Sequence, residues 1–310
     1  MRKPLLLFLL SVLTFYPSFS QPSTDSSRTV AITIDDLPVV TRRYTSAVRL
    51  DITQRLVRSL VENEVPAIGF VNEVKLFKNG ILDQAKVDLL KIWLEAGLEL
   101  GNHTYSHPSL HKVSLTEYQQ EILEGEIITK KISEPYGQAP RYFRHPFLHT
   151  GRSVAIRDSL NQFLEEHGYQ VAPVSVDNSD YWFAAAYERA LINEDADMQR
   201  RIREAYLTYM EDYFAYYEQQ SQALLGQEVA QILLLHANAL NADTFDALAE
   251  MIRQRGYTFV SLGKALEDTF TGSGGISWIH RWAITQGKKG EFFSGEPEVP
   301  EFVDKLANSF

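Results

Sequence analysis

No cysteine occurs in the 310 residues, so no disulfide can staple the fold and no lipid can be carried on an N-terminal cysteine. Stability must come from packing, and a chain of this length with 45% hydrophobic residues can bury one full core, or at most two small ones. Long apolar runs are almost absent too. The one that exists, "PLLLFLLSVLTFY", follows Arg2 and Lys3 and precedes the small residues Ser18-Phe19-Ser20. It is too short to span a bilayer comfortably, so residues 1–20 read as an export signal cleaved before Gln21, and no later segment is long enough to cross a membrane. The expectation is an exported protein, periplasmic or secreted. A surplus of cations is also lacking: the formal charge is −10, and losing Arg2 and Lys3 with the signal takes it to −12. That argues against nucleic acid or an anionic lipid surface as the main partner and favours a neutral or cationic one. Internal repeats and low-complexity tracts are missing as well.

What is there is an alternation. Short β-branched or apolar runs, "TVAITI", "PAIGFV", "LELGNH", "RYFRH", "YQVAPVSV", "QILLLH" and "YTFVSL", are separated by amphipathic stretches of helical period. Seven strands with helices between them imply parallel pairing, and their apolar character suits strands covered on both faces, in a barrel or a doubly wound sheet. The pair Ser114 and Glu117 is spaced as a capping box. Residues 183–226, with "YLTYMEDYFAYYEQQ" at their centre, read as one or two helices inserted between the fifth and sixth strands, their tyrosines serving packing and surface, with the lining of a groove as the alternative. After about residue 270, "TGSGG" marks a linker into a C-terminal extension, residues 271–310, where Trp278 and Trp282 share a face if the segment is helical.

Chemically capable residues collect where these strands end. Asp35 and Asp36 follow the first, His103 and His107 the third, Arg144 ends the fourth, Asp177 and Asp180 follow the fifth, and His236 ends the sixth. In parallel α/β folds the carboxyl edge of the sheet is where sites are built. Each residue taken alone has a plain structural use, adjacent aspartates as a turn and a lone histidine as a core or surface group. Together, Asp36, His103 and His107 make a carboxylate and two imidazoles, a ligand set suited to zinc or a similar divalent ion such as cobalt. Hydrolysis also needs a base and an acid, and Asp35 and His236 can fill those two roles.

At these positions the sequence resembles the polysaccharide deacetylases of the NodB-homology type, carbohydrate esterase family 4, over roughly residues 29–270. The family's Thr-Phe-Asp-Asp-Gly motif stands as Thr33-Ile34-Asp35-Asp36-Leu37, its His-Ser/Thr-x-x-His motif as His103-Thr104-Tyr105-Ser106-His107, and its Arg-x-Pro-Tyr/Phe motif as Arg144-His145-Pro146-Phe147. Asp177-Asn178-Ser179-Asp180-Tyr181 matches Asp-x-x-Asp-Trp, and Leu234-Leu235-His236 matches Leu-x-His. The resemblance implies a distorted seven-stranded (β/α) barrel, here with a helical insertion and a C-terminal extension, the deacetylase domain covering residues 21–270. It implies Asp35 as general base, Asp36, His103 and His107 as metal ligands, and His236 as general acid. Arg144 would orient Asp35, Asp180 would orient His236, and the Phe147 backbone N–H would help hold an oxyanion.

Leu37-Pro38 replaces the family's glycine, and Tyr181 with Trp182 stands where tryptophan is expected, changes that touch the groove walls. His111, His145 and His149 are expected beside the motifs rather than as ligands, and His167 as structural. The reading is a metal-dependent hydrolase removing acetyl groups from N-acetylated sugars of peptidoglycan, a chitin-like chain or an exopolysaccharide. Its alternatives are an O-acetyl xylan-type esterase, another carbon–nitrogen hydrolase, and a glycan-binding relative without activity. For Trp278 and Trp282, packing of the extension onto the barrel competes with a sugar-stacking role.

Overall fold

The computed structural model describes residues 28–43, 45–267 and 276–309; the expected export signal and the TGSGG linker lie outside them. The strands are β1 (Arg28–Leu37), β2 (Ile68–Val71), β3 (Phe77–Lys78), β4 (Ile81–Leu82), β5 (Glu99–Asn102), β6 (Tyr142–Phe143), β7 (Gln170–Val171), β8 (Gln231–His236) and β9 (Tyr257–Phe259). The helices are α1 (Ser46–Glu62), α2 (Gln84–Glu95), α3 (Leu115–Glu124), α4 (Ile127–Ser133), α5 (Val154–Glu166), α6 (Asp180–Ile192), α7 (Ala196–Leu225), α8 (Ala239–Gln254), α9 (Leu262–Glu267), α10 (Trp278–Thr285) and α11 (Glu301–Ala307).

Six strands run in the order β7-β6-β5-β2-β1-β8, every neighbouring pair parallel, and β9 pairs in parallel with the first residues of β1. A single parallel bridge from Val176 to Leu233 links the chain beyond β7 to β8. The sheet therefore curls into a distorted barrel whose last seam is one bridge wide. All seven runs read from the sequence are strands here; β3 and β4 form a separate antiparallel ribbon that the sequence did not suggest. Parallel strands need crossovers, and covering helices bury both faces, which is why β1 and β8 are buried along most of their length. The barrel is narrow. A Cβ on Gly101 would sit 2.6 Å from the Phe70 ring, and one on Gly69 would meet the Leu37 side chain.

The insertion is two helices, α6 and α7, and its Tyr206, Tyr209, Tyr213, Tyr216 and Tyr217 are all buried in the main core cluster. The C-terminal extension joins the same cluster through Trp278, Ile279 and Val303, and α11 packs along α6. Trp278 is buried and Trp282 half-buried, and neither lines the cleft described below. For Trp278 the structure supports the packing role. Ser114 forms the capping box with Glu117 at the start of α3.

Candidate active site

The C-terminal ends of β1 and β5 bring Asp36, His103 and His107 together. Each offers one ligand atom, and these atoms lie within 4.8 Å of one another. The loops that hold them are backbone-strained. Of eight non-glycine residues with positive φ among the described residues, Asp36, Thr104, His107, Phe147 and Leu148 all belong to this region. Such conformations cost of order 1–3 kcal/mol each and persist only where surroundings over-determine them. Here they do. Asn102 accepts from the Thr104 N–H at 2.8 Å, the Thr104 hydroxyl accepts from the His107 N–H at 3.1 Å, and Glu121 accepts from the Ser106 N–H at 2.6 Å. Gly125 presses against the same loop, since a Cβ there would stand 2.5 Å from the Thr104 carbonyl carbon.

Protonation suits a cation. His103 is buried, and its Nδ1 lies 2.8 Å from the Arg144 carbonyl oxygen. A carbonyl only accepts, so Nδ1 carries the proton and Nε2 presents its lone pair to the site. Burial lowers its pKa to about 4. Burial, with His103 opposite, lowers His107 to about 4 as well. Burial pulls the Asp36 carboxyl upward, but Lys75 and the facing histidines outweigh it and hold the group well below the carboxylate range. At neutral pH the trio is thus one anion and two neutral imidazoles, the donor set a zinc-like ion requires. Lys75, which the sequence reading missed, donates to the Asp36 carbonyl oxygen at 2.9 Å and lies 3.0 Å from Oδ1. The β1–β2 register shifts between Ile34 and Leu37, and the lysine takes the carbonyl that this irregularity turns out of the ladder.

Beneath the trio, Arg144 is fully buried and aims Nη1 at Asp35 Oδ2, 3.5 Å away. Its Nη2 donates at 2.9 Å to the Thr33 hydroxyl, which donates in turn to the Leu233 carbonyl at 2.7 Å. The threonine of the first motif is therefore the joint between arginine and β8. Burial raises the Asp35 pKa against the pull of Arg144 and His236, and its Oδ1 makes no hydrogen bond within the protein. It is a proton acceptor of enhanced affinity, with one buried oxygen left unpartnered by the protein. Asp177, also on the cleft wall, is pushed up to about 6 by burial and by Glu296 of the extension.

Across the cleft, His236 ends β8 and donates from Nδ1 to Asp180 Oδ1 at 2.6 Å, while its backbone N–H reaches Oδ2 at 2.9 Å. Burial alone would lower this imidazole. The Asp180 carboxylate, by charge and by hydrogen bond, and then Asp36 and Asp35, push it up to about 9. Asn241 completes the mount by donating from Nδ2 to Asp180 Oδ2 and to the His236 carbonyl, both at 2.8 Å. The Tyr206 hydroxyl of the insertion donates to Asn241 Oδ1 at 2.7 Å, and the Tyr209 hydroxyl accepts from the Ser179 N–H at 3.0 Å. No sequence signal pointed to Asn241, because its role rests on contacts with distant side chains.

These groups share one cleft of about 610 Å³ whose walls include Asp35, Asp36, His103, His107, Asp177 and His236. Phe147 and Tyr181, 56% and 51% exposed, stand on its two sides, Phe147 edge-on to His107 and Tyr181 edge-on to His236. Trp182 is not among the residues that line it: its half-buried ring stands 5.8 Å from the Tyr181 ring but packs against the core, which corrects its expected place on the substrate wall. Asp180 and Arg144 lie just behind the wall, in contact with His236 and Asp35. His145 is buried in the wall against Tyr118, His111 stacks on His149 away from the ligand trio, and His167 caps α5 on the surface.

A family model, that of polysaccharide deacetylases, matches residues 23–172. Among curated relatives, a peptidoglycan-N-acetylglucosamine deacetylase of Bacillus cereus is 28% identical over 166 residues, 53% of this chain and 50% of the relative. A chitin deacetylase of Arthroderma benhamiae is 29% identical over 153 residues, 49% of this chain and 35% of the relative. The chain thus spans half or less of the length of these two relatives. Among solved structures, the Bc1960 peptidoglycan N-acetylglucosamine deacetylase shares the fold at a TM-score of 0.50 and 21% identity, over 78% of this chain and 89% of its own. The matched residues contain Asp35, Asp36, His103, His107 and Arg144, whereas Asp180 and His236 lie beyond them and are brought to the cleft by the fold. Residues 23–172 of this chain thus match the polysaccharide deacetylase family.

Proposed function

We propose that the protein is an exported, metal-dependent hydrolase that removes the acetyl group from N-acetylated sugars of a glycan such as peptidoglycan, a chitin-like chain or an exopolysaccharide. The observation that carries this reading is a single cleft with three groups poised to ligate a cation on one wall and a protonated imidazole on the other. Asp36, His103 and His107 hold the ion, which we take to be zinc, with cobalt the alternative. The chemistry such an ion supplies when bound is Lewis acidity toward water and toward an acyl oxygen. Asp35, oriented by Arg144, takes the proton of the attacking water. His236, fixed by Asp180, gives its proton to the departing nitrogen. Phe147, its peptide in a left-handed turn beside His107, offers a backbone N–H to the developing oxyanion.

The acid favours an amide over an ester. An amine leaves only when protonated, and a histidine that keeps its proton to about pH 9 meets that demand. Export rests on Arg2, Lys3 and the apolar run before Ser18-Phe19-Ser20. The test is acetate release from matched N-acetylated and O-acetylated oligosaccharides. Faster release from the N-acetyl series supports the reading, and release from the O-acetyl series alone overturns it.

A further inference from the structure

The loop after β1 and the helix after Val176 leave from strand ends on either side of β8, since β1 pairs with β8 along one edge and Val176 bridges to Leu233 on the other. Glu188 of α6, 9% exposed, joins them across the end of that strand. Its Oε1 accepts from the Arg42 N–H at 2.7 Å, from the Arg43 N–H at 3.3 Å and from the Thr41 hydroxyl, and the Arg43 guanidinium stands 3.8 Å away. The Val40 N–H donates to the carbonyl of Ala237, the residue after His236, at 2.6 Å. Loop and helix thus form an arch over the catalytic end of β8, and α11 of the extension packs along the same helix. The underside of the arch, Val40, Thr41, Arg42, Ala184, Ala185 and Glu188, lines the cleft that holds Asp35, Asp36 and His236.

A groove for the middle of a polymer must let the chain leave on both sides of the reacting unit. Here a hydrogen-bonded wall crosses one side, and the volume of about 610 Å³ falls in the range of about 300–1,000 Å³ typical of sites for single small ligands. We propose that the arch closes the cleft on the β8 side and confines the enzyme to an acetylated sugar at a chain end, or to short oligosaccharides. This rests on the deacetylase reading above. It also joins the insertion and the extension in one role, in which α6 supplies the wall and α11 braces it.

The experiment is digestion of N-acetylchitopentaose, isotopically labelled at the reducing end, followed by mass-spectrometric sequencing of the products. The wild-type protein should free acetate from one terminal unit at least about tenfold faster than from any internal unit, the discrimination a single steric misfit supplies. Glu188→Ala should raise the internal share, and Glu188→Gln, which keeps a carbonyl acceptor for the loop, should restore the terminal preference. Even deacetylation of internal units by the wild type overturns the inference and leaves the deacetylase reading standing. Terminal preference unchanged in a folded Glu188→Ala protein overturns the arch as its cause. Acetate from no oligomer at all overturns the deacetylase reading and this inference with it.

Discussion

His103 and His236 face one cleft from opposite walls and carry the same side chain, yet they hold opposite protonation states at neutral pH. Around His103 burial dominates and the partner is a carbonyl oxygen, so the ring stays neutral, with a pKa of about 4. Around His236 burial acts in the same direction, but a carboxylate 2.6 Å away reverses it to about 9. The difference teaches that a histidine's role is set by what its second nitrogen touches: a carbonyl makes a ligand, a carboxylate makes an acid. The two aspartates divide in the same manner. Asp36 sits against Lys75 and is held ionised, while Asp35 is buried deeper and gains proton affinity.

The sharpest way to break this comparison is to remove one carboxylate at a time. Asp35→Asn should keep its metal by elemental analysis and lose turnover by about 10²–10⁴-fold, the usual worth of a positioned proton acceptor. Asp36→Asn should lose the metal as well. Equal metal loss in both variants would erase the division between ligand and base.

A smaller effect is expected at Lys75, whose two contacts pin Asp36 in its left-handed turn. Lys75→Met should weaken zinc binding by about 10–100-fold in calorimetric titration, as loss of a ligand's outer partner does. Unchanged or tighter binding would show that the ammonium competes with the cation rather than positioning its ligand.

The least effect near neutrality, but the clearest signature, belongs to Asp180. In the proposed mechanism His236 can serve as the acid only while protonated, so kcat/KM of the wild type should fall as pH rises through about 9. Asp180→Asn removes the charge that raises this pKa and leaves burial, which lowers it, so the alkaline limb should move to lower pH with metal content unchanged. The stability linkage has the same sign. With the folded pKa raised above the ordinary 6.5, the pair stabilises the fold fully below about pH 6.5 and loses that contribution as pH climbs through about 9. A variant whose alkaline limb stays in place would show that another group sets it.

The two walls also differ in how much of them could be read beforehand. Asp36, His103 and His107 lie at the ends of strands whose short runs are plain in the sequence, and adjacency or four-residue spacing marks them as pairs. His236 and Asp180 were legible as motif ends, but what mounts them was not. Asn241 reaches Asp180 across 61 residues, Tyr206 reaches Asn241 across 35, and Glu188 reaches Arg42 across 146. Such hydrogen bonds impose no period on the chain. Lys75 is the exception, because it follows the end of β2 and the strand-end rule that found the other site residues extends to it. Trp182 fails for a helical reason: one residue past Tyr181 is about 100° around α6, which turns the second ring from the cleft to the core. The ribbon of β3 and β4, two residues each, is too short to carry an alternation.

The central claim, that Asp36, His103 and His107 serve a hydrolytic deacetylation, is tested most directly by acetate release from N-acetylchitooligosaccharides by protein stripped of metal and then titrated with zinc. The account predicts negligible release from the stripped protein and recovery that saturates at about one zinc per chain, the stoichiometry of a single three-ligand site. Equal release before and after stripping, or none at any zinc loading, would contradict it.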